Sequence, residues 1–353
     1  LPLTPSPPVK PVRIAQVGIG YWGSNLLRNF SNIEGADLRA VCDQDADTLQ
    51  AVGSSRPGLT RTNRYEDLLE DDKIEAVAVA TQTPLHYSMA RAALEADKHV
   101  FVEKPMAETG EQARELVRLA RKRNRRLMVG HLLLYHPAFR YVEERIRNGD
   151  LGEVYYLYSM RVNLGIVRQR ENALQSLAPH DLSVALQFLD AEPRAVSAQG
   201  QSFLQEEVED VTFATVYFEN GQMAHLHTSW LDPHKIRKVT VVGDEQMAVI
   251  DDMASSEKVR LYDKGIDVPG DTPVDYASFE EAMSIRTGNI TIPPIDMQEP
   301  LRLECEHFLE CVREGREPRT DGPNGRIVVE MLEAAQESLH QRGETVEIDT
   351  SPV

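Results

Sequence analysis

Between Val12 and about Gly130, short and almost uninterrupted apolar runs alternate with amphipathic stretches, a pattern that predicts βαβ units and a parallel sheet. The runs are "VRIAQVGI", "DLRAVCD", "AVAVAT", "HVFVEKP" and "RLMVGH". Their continuous hydrophobicity predicts strands covered on both faces. Between them, "LLRNF", "LHYSMARAALEA" and "GEQARELVRLARKR" carry apolar residues at helical spacing, with Thr109 as N-cap of the last. After about Leu151 the period shortens to two, in "EVYYLYSMRVNL", "RAVSAQGQSF", "DVTFATVYFENGQMAHLHTSW", "KIRKVTVVG" and "KVRLYDKG". A large, mainly antiparallel sheet follows, with Asn220-Gly221 predicted as a type I′ hairpin turn. One helix, "HDLSVALQFLD", interrupts the strands, and two more close the chain around "PLRLECEHFLECVREG" and "NGRIVVEMLEAAQESLHQR". The expected class is therefore α/β, a doubly wound parallel domain followed by a second α/β domain built on the antiparallel sheet. One face of that second sheet is expected to stay open and to display Tyr155, Tyr156, Tyr158, His227 and Trp230, which suggests a homodimer or homotetramer formed through it.

Length agrees with two domains: 353 residues exceed one ordinary core. The division expected is a disordered leader over residues 1–11, a nucleotide-binding domain over 12–130, and a substrate-binding and oligomerisation domain over 131–353 whose last helix packs back on the first domain. A net charge of −18 disfavours nucleic acid and anionic membranes and leaves a small molecule as the expected partner. Cys42, Cys305 and Cys311 form neither an even disulfide set nor a C-x-x-C pair, as suits a reducing cytoplasm. The proline-rich "LPLTPSPPVKP" lacks the apolar length of a signal peptide, and no run of about 18 apolar residues occurs.

The first strand ends in "VGIGYWGSN". Without a Cβ, Gly18 permits a tight turn, Gly20 lets a pyrophosphate approach the backbone, and Gly23 lets helix and strand pack closely. The helix that follows offers free N–H groups and the positive end of its dipole to the phosphates. The next strand ends in Asp43, placed to accept hydrogen bonds from both hydroxyls of an adenosine ribose. A carboxylate there repels a 2′-phosphate, and no Arg follows directly in "CDQDAD", so NAD is favoured over NADP. Tyr21 and Trp22 lie within the turn and are counted with the cofactor-binding residues, Trp22 in a packing role.

In an open α/β sheet the ligand crevice lies beyond the carboxyl ends of the strands. Those ends carry Thr81-Gln82-Thr83-Pro84, Glu103-Lys104-Pro105 and Gly130-His131. A lysine between an acid and a proline at the end of a buried strand fits either a structural ion pair with Glu103 or a group whose pKa is tuned by desolvation beside a nicotinamide ring.

Together with these, "AVCD", "ATQTPLHYSMARAALEADKHVFVEKPMA", "MVGHLLLYHPAF", "GDLGEVYYLYSMRVNLG" and "LAPHDLSVALQFL" make the chain resemble the glucose-fructose oxidoreductase and inositol dehydrogenase (Gfo/Idh/MocA) family over most of its length. The resemblance implies an NAD(P)-binding Rossmann domain, a second α/β domain, and hydride transfer at a carbon of a sugar, nucleotide sugar or cyclitol. It implies that Lys104 points at substrate and nicotinamide, that Thr81, Thr83, His86 and Glu103 lie at the cofactor, and that His180 acts as acid and base toward the reacting hydroxyl. The family pattern there is D-x-x-x-H, and Ser176 stands in place of the Asp. A serine hydroxyl can hydrogen-bond but cannot hold negative charge, and Asp181, adjacent on a helix, does not face the same way. Slower turnover, or a cofactor-loaded binding or regulatory protein, is one consequence. An NAD-dependent glycoside-cleaving enzyme is another reading of the same fold.

Arg161, Asn163 and Arg168, in "RVNLGIVRQR", and Tyr135, after "GHLLL", are further candidates for substrate contacts, although an exposed Arg-rich edge strand has the same pattern. His225 and His227 have a spacing that zinc can use, but no third ligand is evident, so no metal site is expected. The run "RKRNRR" is assigned to a solvated helix end.

Overall fold

The computed structural model describes residues 10–165, 167–169, 171–267 and 284–353. Positions 1–9 of the expected leader lie outside the described residues. Two compact units result: Leu1–Tyr135 with Gln298–Val329 and Ser351–Val353, and His136–Met297 with Glu330–Thr350.

In the first unit, strands β1 (Val12–Val17), β2 (Ala36–Cys42), β3 (Thr60–Thr62), β4 (Ala76–Val79), β5 (His99–Glu103) and β6 (Leu127–Gly130) form one sheet in the order β3-β2-β1-β4-β5-β6. Every pair is parallel. The order reverses between β1 and β4, which opens a crevice at the carboxyl ends of these strands. Every residue of β4 and β6 is buried, because apolar side chains point both ways. Ile14, Ala76, Ala78, Phe101 and Met128 pack on one side with Leu26 and Phe30 of helix α1 (Gly23–Asn32), and Val17, Val77, Val79, Val100 and Val102 pack on the other. Helices α2 (Ala46–Ser55), α3 (Glu66–Glu70), α4 (Thr83–Glu95) and α5 (Gly110–Arg123) complete the crossovers. Thr109 caps α5 as expected, its Oγ1 accepting the Gln112 N–H at 3.3 Å, and Arg121, Lys122 and Arg123 sit in its last turn.

The sequence pattern does not reveal one component of this core. Numbering helices in chain order, α6 spans Pro137–Arg147, α7 Ala173–Leu189, α8 Pro300–Glu314 and α9 Gly322–His340. Helix α8 packs in the first unit, where Phe308 meets Phe101 edge-on at 5.8 Å and Phe101 in turn meets Phe30 at 6.2 Å.

The second unit holds a nine-stranded sheet made of β7 (Val154–Val162), β8 (Pro193–Gln201), β9 (Val211–Phe218), β10 (Met223–Ser229), β11 (Ile236–Gly243), β12 (Met247–Asp251), β13 (Val259–Asp267), β14 (Ser284–Thr291) and β15 (Val346–Glu347). The order is β14-β13-β12-β11-β7-β10-β9-β8-β15, and only β7 and β10 run parallel. Helix α7 covers the face bearing Leu157, Leu226 and Val216. Tyr155, Tyr156, Tyr158, Phe213 and Met223 are exposed, and Phe213 stacks on His227 with centroids 4.4 Å apart. Trp230, expected among them, is instead buried.

Two local expectations are corrected. The hairpin at Asn220-Gly221 is not type I′, which needs positive φ at both residues. Only Gly221 has it, at 87°, and its N–H reaches Phe218 O at 3.1 Å, so a turn is followed by a single left-handed residue. Helix α7 begins two turns before the expected start, at Ala173, with Pro179 inside it. The signal was the N-x-x-Q spacing of Asn172 and Gln175, which form a reciprocal capping box strong enough to start the helix upstream of the proline.

Candidate active site

At the end of β1 the chain turns at Gly18 with φ +85°, where a Cβ would lie 2.5 Å from the Ala80 carbonyl oxygen. At Gly23 a Cβ would lie 2.2 Å from the Gly18 oxygen, whereas at Gly20 it would meet nothing within 4 Å. The turn is thus compressed at both ends and open in the middle, the shape that lets a bound pyrophosphate reach peptide N–H groups at the start of α1. Gln16, fully buried in β1, holds it closed by donating from Nε2 to Gly18 O at 2.9 Å and Gly23 O at 2.7 Å. The polar interruption in "VRIAQV" was the available sign of this role. Tyr21 projects from the turn, 91% exposed.

Gly23→Ala is therefore expected to cost about 2–3 kcal/mol of stability, since backbone cannot yield as a side-chain tip does. It should also weaken NADH binding at least tenfold. Denaturant unfolding and fluorescence titration measure both, and an alanine variant with unchanged affinity would remove the turn from the cofactor site.

Asp43 is fixed by two backbone donors: Oδ2 accepts from Ile19 N at 2.6 Å and Oδ1 from Asp45 N at 3.0 Å. Each carboxylate oxygen accepts more than one bond, so capacity for ribose hydroxyls remains. Thr81 follows β4, and Thr83 is the first residue of α4. His86, buried on that helix, brings one ring nitrogen to 3.1 Å from Thr81 O and the other to 2.8 Å from Pro105 O, tying two loops of the crevice together.

Glu103 ends β5, buried, and Lys104 follows it half-buried, with a cis peptide to Pro105. The Trp22 indole N–H donates to Glu103 Oε1 at 2.5 Å, and the Lys104 backbone N–H lies 3.4 Å from Oε2. Trp22, expected only to pack, thereby connects the glycine turn to the acid beside Lys104.

Two histidines of this unit are held neutral. His99 accepts the Arg126 N–H at Nδ1, and burial, then the charges of Arg125 and Arg126, pull its pKa from 6.5 down to about 4. Burial, then the charge of Lys104, pulls buried His131 down to about 3. With folded values below the unfolded one, each contributes stability that is complete above pH 6.5 and lost as pH falls toward 4 and 3. Acidification through this window should lower the unfolding free energy, and His99→Gln should flatten the loss by at most about 3 kcal/mol. A wild-type-minus-variant difference that does not change with pH would refute the assignment.

In the second unit, Ser176 and His180 stand four residues apart on one face of α7, Ser176 buried and His180 half-buried. His180 lies inside the helix and not at its start. Arg161, expected to contact substrate, is 7% exposed and gives Nε and Nη2 to Asp181 Oδ2 and Oδ1 at 2.6 and 3.1 Å. Its fork faces α7, so it is a structural partner of the helix that carries His180. Asp181 is likewise engaged and does not take the place of the expected acid. Tyr135 is also corrected: it is buried in the core of the first unit, its hydroxyl 3.0 Å from Thr320 Oγ1. Asn163 is half-buried after β7, and Arg168 is exposed and paired with Glu171 at 3.2 Å. Among the described residues no group of three or more His, Cys, Asp or Glu is arranged to hold a metal, and no helix is long and apolar enough to cross a membrane.

Two stretches of the chain match known protein families. Residues 12–131 match the family described as "Oxidoreductase family, NAD-binding Rossmann fold", and residues 139–249 match the "GFO/IDH/MocA C-terminal domain". The chain is 28% identical to the uncharacterized oxidoreductase YrbE of Bacillus subtilis strain 168 over 60% of its own length and 65% of the relative's. It is 27% identical to scyllo-inositol 2-dehydrogenase (NAD(+)) of the same organism, over 96% of each chain. It is 26% identical to UDP-N-acetylglucosamine 3-dehydrogenase of Acidithiobacillus ferrooxidans, over 90% of this chain and 94% of that one. A crystal structure of the latter shares the fold with a TM-score of 0.77, covering 93% of this chain and 98% of that one at 23% identity. With a dinucleotide turn, a doubly wound sheet and a second domain all matched in order, the chain belongs to the Gfo/Idh/MocA family of oxidoreductases.

Proposed function

We propose that this protein is an NAD-dependent dehydrogenase or ketoreductase acting on a secondary alcohol or ketone carbon of a sugar, nucleotide sugar or cyclitol. The observation that carries the reading is the placement of Lys104 at the carboxyl end of β5, beside a carboxylate that Trp22 ties to the glycine turn. The residues present fit a dinucleotide, with Gly18 and Gly23 compressing the turn, Gly20 open above it and Asp43 held at the end of β2. Gly18, Gly20, Gly23 and the first turn of α1 hold its phosphates; Asp43 accepts from the ribose hydroxyls and disfavours a 2′-phosphate, which selects NAD over NADP. Thr81, Thr83 and His86 shape the loops beside it. When bound, NAD supplies the hydride acceptor or, reduced, the donor.

The chain's own residues manage the proton. His180 is proposed to exchange the proton of the reacting hydroxyl, and Lys104 to polarise a substrate oxygen as an ammonium. Ser176 donates or accepts a hydrogen bond at the position where an acid would stabilise an imidazolium, so the histidine is a weaker base here than with a carboxylate neighbour. Asn163 and Arg168 are proposed as contacts to substrate hydroxyls or phosphate. The exposed aromatic face of the large sheet is the proposed surface for homo-oligomers.

A panel of nucleotide sugars, free sugars and cyclitols, followed by NADH absorbance, tests the reading. Steady NADH formation with one class supports it. Sugar release without net NADH identifies a glycoside-cleaving enzyme, and tight nicotinamide binding with no turnover identifies a binding or regulatory protein. Ser176→Asp is expected to raise kcat about tenfold if the serine weakens the base, a modest share of the effect of general-base catalysis. A flat or lowered kcat on the same substrate would show that the serine suits that substrate.

A further inference from the structure

Next to Glu103 lies a second carboxyl that the proposed chemistry does not use. Glu304, on α8, is fully buried, and neither of its carboxyl oxygens has a hydrogen-bond partner among the described residues. Its neighbour is Glu103, itself buried at the end of β5. Opposite Glu103 in the β5–β6 register is Gly130, where a Cβ would lie 3.0 Å from Glu103 Oε2, so the carboxyl packs into space that only a glycine leaves open. Two ionised carboxylates cannot share such a site at acceptable cost, and one must keep a proton.

The surroundings decide which one. Glu103 receives the Trp22 indole N–H and stands beside the Lys104 amide and ammonium group. Among the described residues Glu304 has no such donor, and the charge that acts on it is that of Glu103. The titratable groups that interact with it add no positive charge: Cys305 is a buried thiol on the same helix, and Tyr135 is a buried neutral phenol whose hydroxyl is engaged with Thr320; His131, buried and under the charge of Lys104, is held neutral.

We propose that Glu304 is a positioning residue that keeps its proton at neutral pH, so that the buried Glu103–Glu304 pair sets one negative charge, and not two, beside Lys104. The directions of titration agree, since burial and then Glu103 push Glu304 well above the usual carboxylate range, while burial raises Glu103 only to about 7 because Trp22 and Lys104 oppose it. One charge holds the ammonium in place. A second would bind it more tightly and draw it away from the oxygen that it is proposed to polarise. The consequence for catalysis rests on the reading of Lys104 given above; the charge assignment does not.

Infrared difference spectra of the full chain at about pH 8, above the titration of Glu103 at about 7, test the assignment. The C=O stretch of a protonated carboxyl, shifted in D2O, is expected in wild type and in Glu103→Gln and absent in Glu304→Gln. In parallel, 13C reductive methylation reports the titration of Lys104, its signal identified by its loss in Lys104→Arg. Glu304→Gln is expected to leave that titration in place, and Glu103→Gln to lower it by about one unit or more, as removal of an adjacent anion does. Absence of the band from wild type overturns the proposal even if a variant fails to fold, as does a Lys104 shift in Glu304→Gln equal to that in Glu103→Gln. Calorimetry with NAD and NADH keeps the two ideas apart: the band without nicotinamide binding supports the charge assignment and removes the dehydrogenase.

Discussion

Replacing Lys104 by alanine is expected to lower kcat by roughly 10²–10⁴-fold, the usual range for loss of a positioned proton-handling group. The affinity for NAD should change only a few-fold, because the phosphates and ribose are assigned to Gly18, Gly20, Gly23 and Asp43, which lie on other loops. The loss should fall on kcat more than on KM, since an ammonium that polarises the reacting oxygen acts chiefly as charge develops. Steady-state kinetics on the substrate found in the panel, with calorimetry for the cofactor, measure the two parts separately. Turnover within twofold of wild type would take Lys104 out of the mechanism and leave it as a structural partner of Glu103.

Arg161→Met is expected to destabilise the second unit by about 3–5 kcal/mol, because it leaves Asp181 ionised and buried against α7 without its bidentate partner. For a unit of this size that corresponds to a fall of about 10 °C in the midpoint of its thermal transition. The companion Arg161→Met, Asp181→Leu should recover most of the loss, since removing both charges also removes the cost of burying one alone. Calorimetric scans of the three proteins decide the matter. A single variant as stable as wild type would mean that Arg161 is not committed to the helix, and would reopen a substrate role for it.

The contrast between Arg161 and Lys104 marks how far local pattern reaches. Both were candidates because a cation followed or ended a strand. Lys104 could be picked out because its neighbours in sequence, Glu103 and Pro105, are also its neighbours in space. The partner of Arg161 lies 20 residues away on a helix that covers the same sheet, a separation that no spacing rule spans. Tyr135 was misjudged for the same reason, its hydroxyl being satisfied by Thr320 at a separation of 185 residues. The early start of α7 was within reach, since Asn172 and Gln175 already have the spacing of a capping box.

What the sequence determined alone was everything set by short-range periodicity and backbone sterics: the apolar runs of a parallel sheet, the change to period two after Leu151, the glycine turn, and the acid at the end of β2. Those properties depend on residues a few positions apart, so one-dimensional order carries them. The tertiary structure decided which polar groups are buried together: Trp22 on Glu103, Glu304 behind it from α8, and Asp181 on Arg161. The physical reason is that desolvation and charge act through space, so the protonation and reach of a side chain are set by whatever the fold packs against it.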